Sequence, residues 1–87
     1  MPLTSGQTTV GTVAVQIDGA DENPSFIHLH NNDNTKTLYV GGSDVTISNG
    51  LAVLKQESFD IILHPGSTIY AVTDSGTHVV SWLRQTI

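Results

Sequence analysis

The sequence predicts an all-β fold, a small antiparallel β-sandwich or jelly-roll-like barrel of about seven to eight strands. Apolar residues alternate with polar ones in short runs, turn-forming residues recur about every ten positions, and no window keeps helical spacing for three turns. A parallel βαβ arrangement is excluded because no crossover helix is available. The 87 residues leave room for one small domain.

The sequence predicts two parts, an N-terminal arm and a β domain. Residues 1–8 are polar and contain Pro2 and Gly6, which predicts a flexible arm. A single β-sandwich domain is expected over residues 9–87. Its predicted strands, bounded by clusters of Gly, Pro, Asn and Asp, are 9–17, 25–31, 36–40, 44–47, 51–54, 57–63, 67–73 and 77–84.

Alternation also predicts which side chains share a face of a strand. In the strand 25–31, Ile27 and Leu29 share one face, opposite Phe26, His28 and His30. The Asn-rich segment 31–34 predicts a hairpin that leads into the next strand. The last strand leaves two choices, because its alternate positions are apolar on both faces: Val79 and Leu83, or Val80 and Trp82.

Composition excludes several classes of partner. The net charge is −5, and the only basic residues, Lys36, Lys55 and Arg84, are far apart in sequence, so no nucleic acid is expected as a ligand. No apolar run approaches the roughly 20 residues of a membrane span, so no membrane partner is expected. The absence of cysteine excludes disulfides and thiolate zinc sites.

One pair of residues has a spacing suited to metal binding. His28 and His30 lie two apart on a strand, which places both imidazoles on the same side. The loop 18–22 could supply carboxylates, and His64 or His78 would have to approach through folding. Because this pattern is unspecific, two half-exposed histidines with neighbours in a sheet are the expected outcome, and no metal or other cofactor is predicted.

Catalytic patterns are missing. The chain has no Gly-x-Ser-x-Gly segment, and Glu57 and Asp60 fall on opposite faces of a strand. No helix follows Gly41-Gly42-Ser43, so this segment predicts a bend and not a phosphate loop. We therefore expect no catalytic residues and no enzymatic activity.

The segment 34–50, with Tyr39-Val-Gly-Gly42, Val45-Thr46 and Asn49-Gly50, resembles a pattern in small structural proteins of tailed bacteriophages. The resemblance continues in order through about residues 25–85. Its further elements are Leu63-His-Pro-Gly66, Ile69-Tyr-Ala-Val72, Ser75-Gly76 and the strand 79–83.

This resemblance implies a virion component, a capsid decoration or cement protein or a minor capsid protein, on the capsid surface and assembled in the host cytoplasm. The implied partners are the major capsid protein and copies of the chain itself, and shell symmetry favours a homotrimer. The alternatives are a carbohydrate- or receptor-binding module of a tail or fibre, and a tail or connector subunit.

Attachment is predicted to involve the N-terminal arm. Leu3 and the backbone donors around it could add to an exposed sheet edge of a capsid subunit or a neighbouring copy. The candidate interface residues are Pro2, Leu3, Thr4 and Ser5. Several arms on one oligomer would raise the effective concentration at the shell.

Overall fold

The computed structural model describes residues 3–19, 23–33 and 35–86, and these ranges form eight strands and no helix. The predicted all-β fold is therefore confirmed. The strands are β1 (Leu3–Val10), β2 (Val15–Gly19), β3 (Ser25–Asn31), β4 (Leu38–Gly41), β5 (Leu51–Val53), β6 (Ser58–Leu63), β7 (Thr68–Thr73) and β8 (His78–Thr86). No described helix is long and apolar enough to cross a membrane.

The strands form two four-stranded sheets. The first sheet has the order β1-β8-β3-β6 and the second β2-β7-β4-β5. Every neighbouring pair is antiparallel. Within the sheets β1 pairs with β8, β2 with β7, β3 with β6 and β4 with β5, so the chain forms one long hairpin rolled into two layers. This is the connectivity of a jelly roll.

The hydrophobic core lies between the two sheets. Ile27 and Leu29 are fully buried in it and Phe26 is exposed, as the alternation of β3 predicted. In β8, Val80 is fully buried and Val79 and Leu83 are exposed, which decides the face that the sequence left open. The buried cluster comprises Val10, Ile17, Ile27, Leu29, Leu38, Val40, Val53, Leu63, Ile69, Ala71 and Val80.

The prediction that residues 1–8 form a flexible arm is wrong for residues 3–8, which belong to a strand. Strand β1 pairs with β8 along its whole length, from Leu3 opposite Gln85 to Val10 opposite His78. Backbone hydrogen bonds do not need an apolar sequence pattern, and the free edge of β8 offers donors and acceptors to a polar segment as readily as to an apolar one. Pro2 lies outside the described residues.

Two predicted connections also differ from the structure. The expected strand 9–17 is broken: β1 ends at Val10 in the first sheet, and β2 begins at Val15 in the second. The Asn-rich segment after β3 is a crossover and not a hairpin, because β3 and β4 belong to different sheets. Local turn chemistry predicts a change of direction but not the sheet in which the next strand lies.

The expected strand 44–47 is part of a compact loop over residues 42–50. The buried Val45 side chain packs so closely that a Cβ on Gly41 or on Gly50 would lie 2.9 Å from its Cγ2 atom. The backbone N–H of Val45 donates to Gly42 O, and that of Gly50 donates to Thr46 O. Gly41 and Gly50 thus have a packing role here.

Candidate interaction surface

The outer face of the first sheet, defined as the side chains that point away from the second sheet, is rich in exposed apolar residues. Large apolar side chains on this face are between 37% and 61% exposed. They are Leu3, Phe26, Ile62, Val79 and Leu83. Because all four strands contribute, these residues form a broad surface, and such surfaces often mark interaction sites.

Strand register arranges most of the outer face in three rows that cross β1, β8, β3 and β6 in that order, and Val79 lies beyond these rows, opposite Thr9 of β1. The first row is Leu3, Gln85, Phe26 and Ile62. The second row is Ser5, Leu83, His28 and Asp60. The third row is Gln7, Ser81, His30 and Ser58. The first row is therefore mainly apolar, whereas the other two rows carry hydroxyl, amide, imidazole and carboxylate groups around Leu83.

Two cross-strand pairs hold the histidines of β3 in place. The His28 Nδ1 atom contacts a carboxylate oxygen of Asp60, and the His30 Nδ1 atom lies 3.1 Å from Ser58 Oγ. Both partners come from β6, because the register places Asp60 opposite His28 and Ser58 opposite His30. The sequence placed the two histidines on one face but did not indicate which side chains they would contact.

The structure does not complete a metal site around His28 and His30. In the described ranges, no group of three or more His, Asp or Glu side chains is placed to hold a metal ion. The two rings border a shallow hollow of about 120 Å³ together with Ser81, Trp82 and Leu83. None of these three neighbours supplies a ligand suited to zinc.

The other two histidines and Asp18 of the acidic loop lie elsewhere. His78 is buried at the start of β8, with its Nδ1 atom 3.7 Å from Asp33 Oδ2, and His64 follows the end of β6. Asp18 pairs with Arg84 at 3.2 Å. Residues 20–22 lie outside the described ranges.

Two neighbouring residues at one end of the sandwich, His78 and Asp33, have lowered pKa values. Burial lowers the pKa of His78, and neither of its ring nitrogens has a hydrogen-bond partner among the described residues. Hydrogen bonds from Thr35 and from the Lys36 backbone lower the pKa of the Asp33 carboxyl to about 2. Sequence reasoning missed this cluster because residues 33 and 78 are far apart along the chain.

The outer face of the second sheet is partly covered by the chain itself. Val72 points away from the core of the sandwich but is only 4% exposed, and it borders a hollow together with Val45, Thr46 and Ile47 of the loop 42–50. No described segment covers the outer face of the first sheet in this way. The outer face of the first sheet is therefore exposed, whereas the outer face of the second sheet is partly covered by the loop 42–50.

The candidate interface residues at the N-terminus take part in the first sheet. Leu3 and Ser5 lie at the β1 end of the first and second rows of the outer face. Thr4, opposite Arg84, points to the other side of the sheet by strand alternation. Leu3 and Ser5 thus belong to a sheet surface and not to a separate arm.

Comparisons with protein-family models, curated proteins and solved structures gave no match to this chain.

Proposed function

We propose that the protein is a non-enzymatic structural component of a tailed bacteriophage virion that decorates or cements the capsid shell. The sequence resemblance over about residues 25–85 supports this proposal. The jelly-roll connectivity is compatible with it, because viral capsid domains are among the proteins that use this fold, although the fold alone implies no function. The proposed location is the capsid surface, after assembly in the host cytoplasm.

The observation that carries the proposal is the uncovered outer face of the first sheet. Phe26, Ile62 and Leu83 expose apolar surface on a rigid four-stranded support, between hydroxyl, amide and imidazole groups. Protein interfaces combine apolar contacts with polar groups and bridging water in this manner. We propose that this face contacts the major capsid protein.

The attachment that we propose differs from the one predicted from the sequence. Residues 3–8 already pair with β8, so they are not free to add as an arm to a neighbouring sheet. Leu3 and Ser5 contribute instead as part of the outer face. Many copies on a repeating shell would still give multivalent attachment, because each oligomer presents several such faces.

The carbohydrate-binding alternative has less support. Sugar sites commonly need exposed aromatic rings, and Phe26 is the aromatic residue that is most exposed on the described surface. Trp82 packs against the hydrophobic core. We therefore favour a protein partner for the outer face.

A binding assay with shells tests this proposal. The protein and two variants are mixed with assembled shells that lack it, and bound protein is measured after sedimentation of the shells. Leu83→Asp places a charge in the middle of the outer face and should weaken binding at least about tenfold, because a desolvated unpaired charge costs well over 1.4 kcal/mol. Ile47→Asp, at a residue that is 50% exposed on the loop 42–50, is the matched control and should bind as the parent does.

Free capsid subunits provide the second comparison. Shells present many sites together, so shells should retain the protein far better than subunits do. Failure of the parent protein to bind shells would refute the proposal. Equal loss of binding in both variants would place the contact elsewhere than the outer face.

A further inference from the structure

Strand β6 has an unpaired edge, with an apolar inward face and an outward face that carries Ser58, Asp60 and Ile62. It pairs with β3 on one side, and no described strand pairs with its other side. Phe59, Ile61 and Leu63 point toward the space between the sheets, and Ile62 points outward with 49% exposure. An edge strand with free backbone donors and acceptors is a template for another strand.

The other three edges of the sandwich carry features that protect against such pairing. The register of β2 is interrupted between Gln16 and Asp18, and β5 has only three residues. Strand β1 carries mainly Thr, Ser, Gln and Gly. Strand β6 is less protected, since its register with β3 is continuous, it contains no Lys, Pro or Gly, and its one charged side chain, Asp60, contacts His28 of β3.

A groove next to β6 shows that the sandwich is open along this side. The groove encloses about 500 Å³ between the two sheets. Its apolar lining includes Phe59, Ile61 and Leu63 of β6, and Val40, Leu51 and Ile69 of the second sheet. Leu51 is 58% exposed at this opening although it belongs to a strand. The core therefore lacks a cover at the same edge where backbone groups are free.

We propose that a second copy of the chain covers this edge by pairing its own β6 antiparallel to the first, around a two-fold axis. The two first sheets would then form one continuous sheet of eight strands. A two-fold contact uses the same patch on both copies, which the inward face of β6 can satisfy because its apolar side chains would meet apolar side chains of the second copy. This inference does not depend on binding to a shell.

Charge selects the register of the proposed pair. Opposite residues must share a face, so the axis can pass through Asp60, Ile61 or Ile62. An axis at Asp60 would place two like charges directly opposite each other, which is unfavourable. An axis at Ile62 pairs fewer residues, because β6 ends at Leu63. An axis at Ile61 pairs residues 59–63 and places Asp60 opposite Ile62 of the second copy.

The same register brings apolar groups to the groove. Because the second β6 continues the first sheet, its inward side chains, Phe59, Ile61 and Leu63, would lie along the opening beside Leu51. Apolar surface on both copies would leave water, which is the main favourable contribution to such contacts. The trimer expected from shell symmetry is the competing arrangement, and the experiments below distinguish it.

Engineered cysteines test the register directly, because the natural chain contains no cysteine. The double variant Asp60→Cys, Ile62→Cys should form disulfide-linked dimers under mild oxidation. Neither single variant should form such dimers. In the proposed register, the two copies of residue 60, or of residue 62, would be diagonal neighbours about 7–8 Å apart, which is too far for a disulfide. Cross-linking of Asp60→Cys alone, or of a Ser5→Cys variant on the β1 edge, would overturn the proposal.

Sedimentation of charge variants tests the same edge without cross-linking. The parent should sediment with twice the mass of one chain at micromolar concentration. Ile62→Asp should raise the dimer dissociation constant at least about tenfold, because it places carboxylates opposite Asp60 at two symmetric positions. Ile62→Lys should be tolerated better, since a cation would then lie opposite Asp60.

Leu83→Asp is the matched control for the edge. Leu83 is 40% exposed on the same outer face but lies on an interior strand, so this variant should remain dimeric. If Leu83→Asp is dimeric yet does not bind shells, the dimer and the shell contact are separate surfaces. A monomeric parent, a parent with three times the chain mass, or equal dissociation of Ile62→Asp and Leu83→Asp would refute the proposed dimer.

Discussion

Trp82 lies directly opposite Gly6 in the pairing of β1 with β8, and its indole occupies the space next to the Gly6 backbone. A Cβ atom on Gly6 would stand 2.5 Å from the Cζ2 atom of the ring. The indole N–H also donates to Thr8 Oγ1 at 3.2 Å. A polar N-terminal segment is thus held to the sandwich by backbone pairing and by one aromatic side chain that packs over a glycine.

This relationship predicts the effect of a side chain at Gly6. Gly6→Ala should lower the free energy of unfolding by about 1–3 kcal/mol, because the added methyl group overpacks against the indole. Gly42→Ala is the control, since a Cβ there meets nothing closer than 3.6 Å, and it should change stability by less than about 0.5 kcal/mol. Urea titration measures both variants. Equal stability of the two would contradict the packing of Trp82 on Gly6.

Deletion of residues 2–8 should destabilise the protein and not merely detach an arm. The deletion removes most of β1, uncovers the edge of β8 and exposes one side of Trp82. Trp82 is the only tryptophan, so its fluorescence reports this site. The expected result is a red-shifted emission and a lower urea midpoint. An unchanged midpoint would mean that β1 contributes little to the fold.

Acid should weaken the fold through His78. Burial lowers its pKa below the ordinary 6.5, so the unfolded chain binds a proton at a higher pH than the folded protein. The part of the free energy of unfolding that depends on neutral His78 is therefore fully present above pH 6.5. It declines as the pH falls below 6.5. His78→Leu should flatten this decline in urea titrations, and His64→Gln, at an exposed histidine, should keep it. An equal slope in the parent and His78→Leu would refute this assignment.

A second acid transition should follow from Asp33. Hydrogen bonds from Thr35 and Lys36 lower its pKa from 3.8 to about 2, so the folded protein holds the charged form more strongly than the unfolded chain. Stability contributed by this carboxylate is present above pH 3.8 and is lost as the pH falls toward 2. Asp33→Asn should remove this part of the pH dependence in the same titration series. It should also extend the part due to His78 to lower pH, because the Asp33 carboxylate raises the pKa of His78.

Chelation should leave the fold unchanged. If His28 and His30 are only residues of a sheet, EDTA will not alter the melting temperature, because no metal that stabilises the native state is being removed. Thermal melts with and without EDTA measure this. A drop of several degrees that zinc restores would contradict the prediction and make the hollow beside His30 a metal site.

Strand positions were largely predictable because alternation is a local property. Strand β3 has the predicted bounds, Ser25–Asn31, and alternation predicted that Ile27 and Leu29 share a face, which is the buried one. The site was predictable only in part. The sequence placed His28 and His30 on one face, but Asp60 and Ser58 could be identified as their partners only from the register of β3 with β6.

The sequence by itself determined an all-β chain with strands at the alternating segments, since period-two patterning and turn residues act over a few positions. Tertiary structure decided which strands pair, because pairing depends on backbone groups that are the same at every residue. It therefore made residues 3–10 a strand and buried Val80 in place of Val79. It also left β6 at a free edge, because the rolled hairpin ends its first sheet there and no described strand follows.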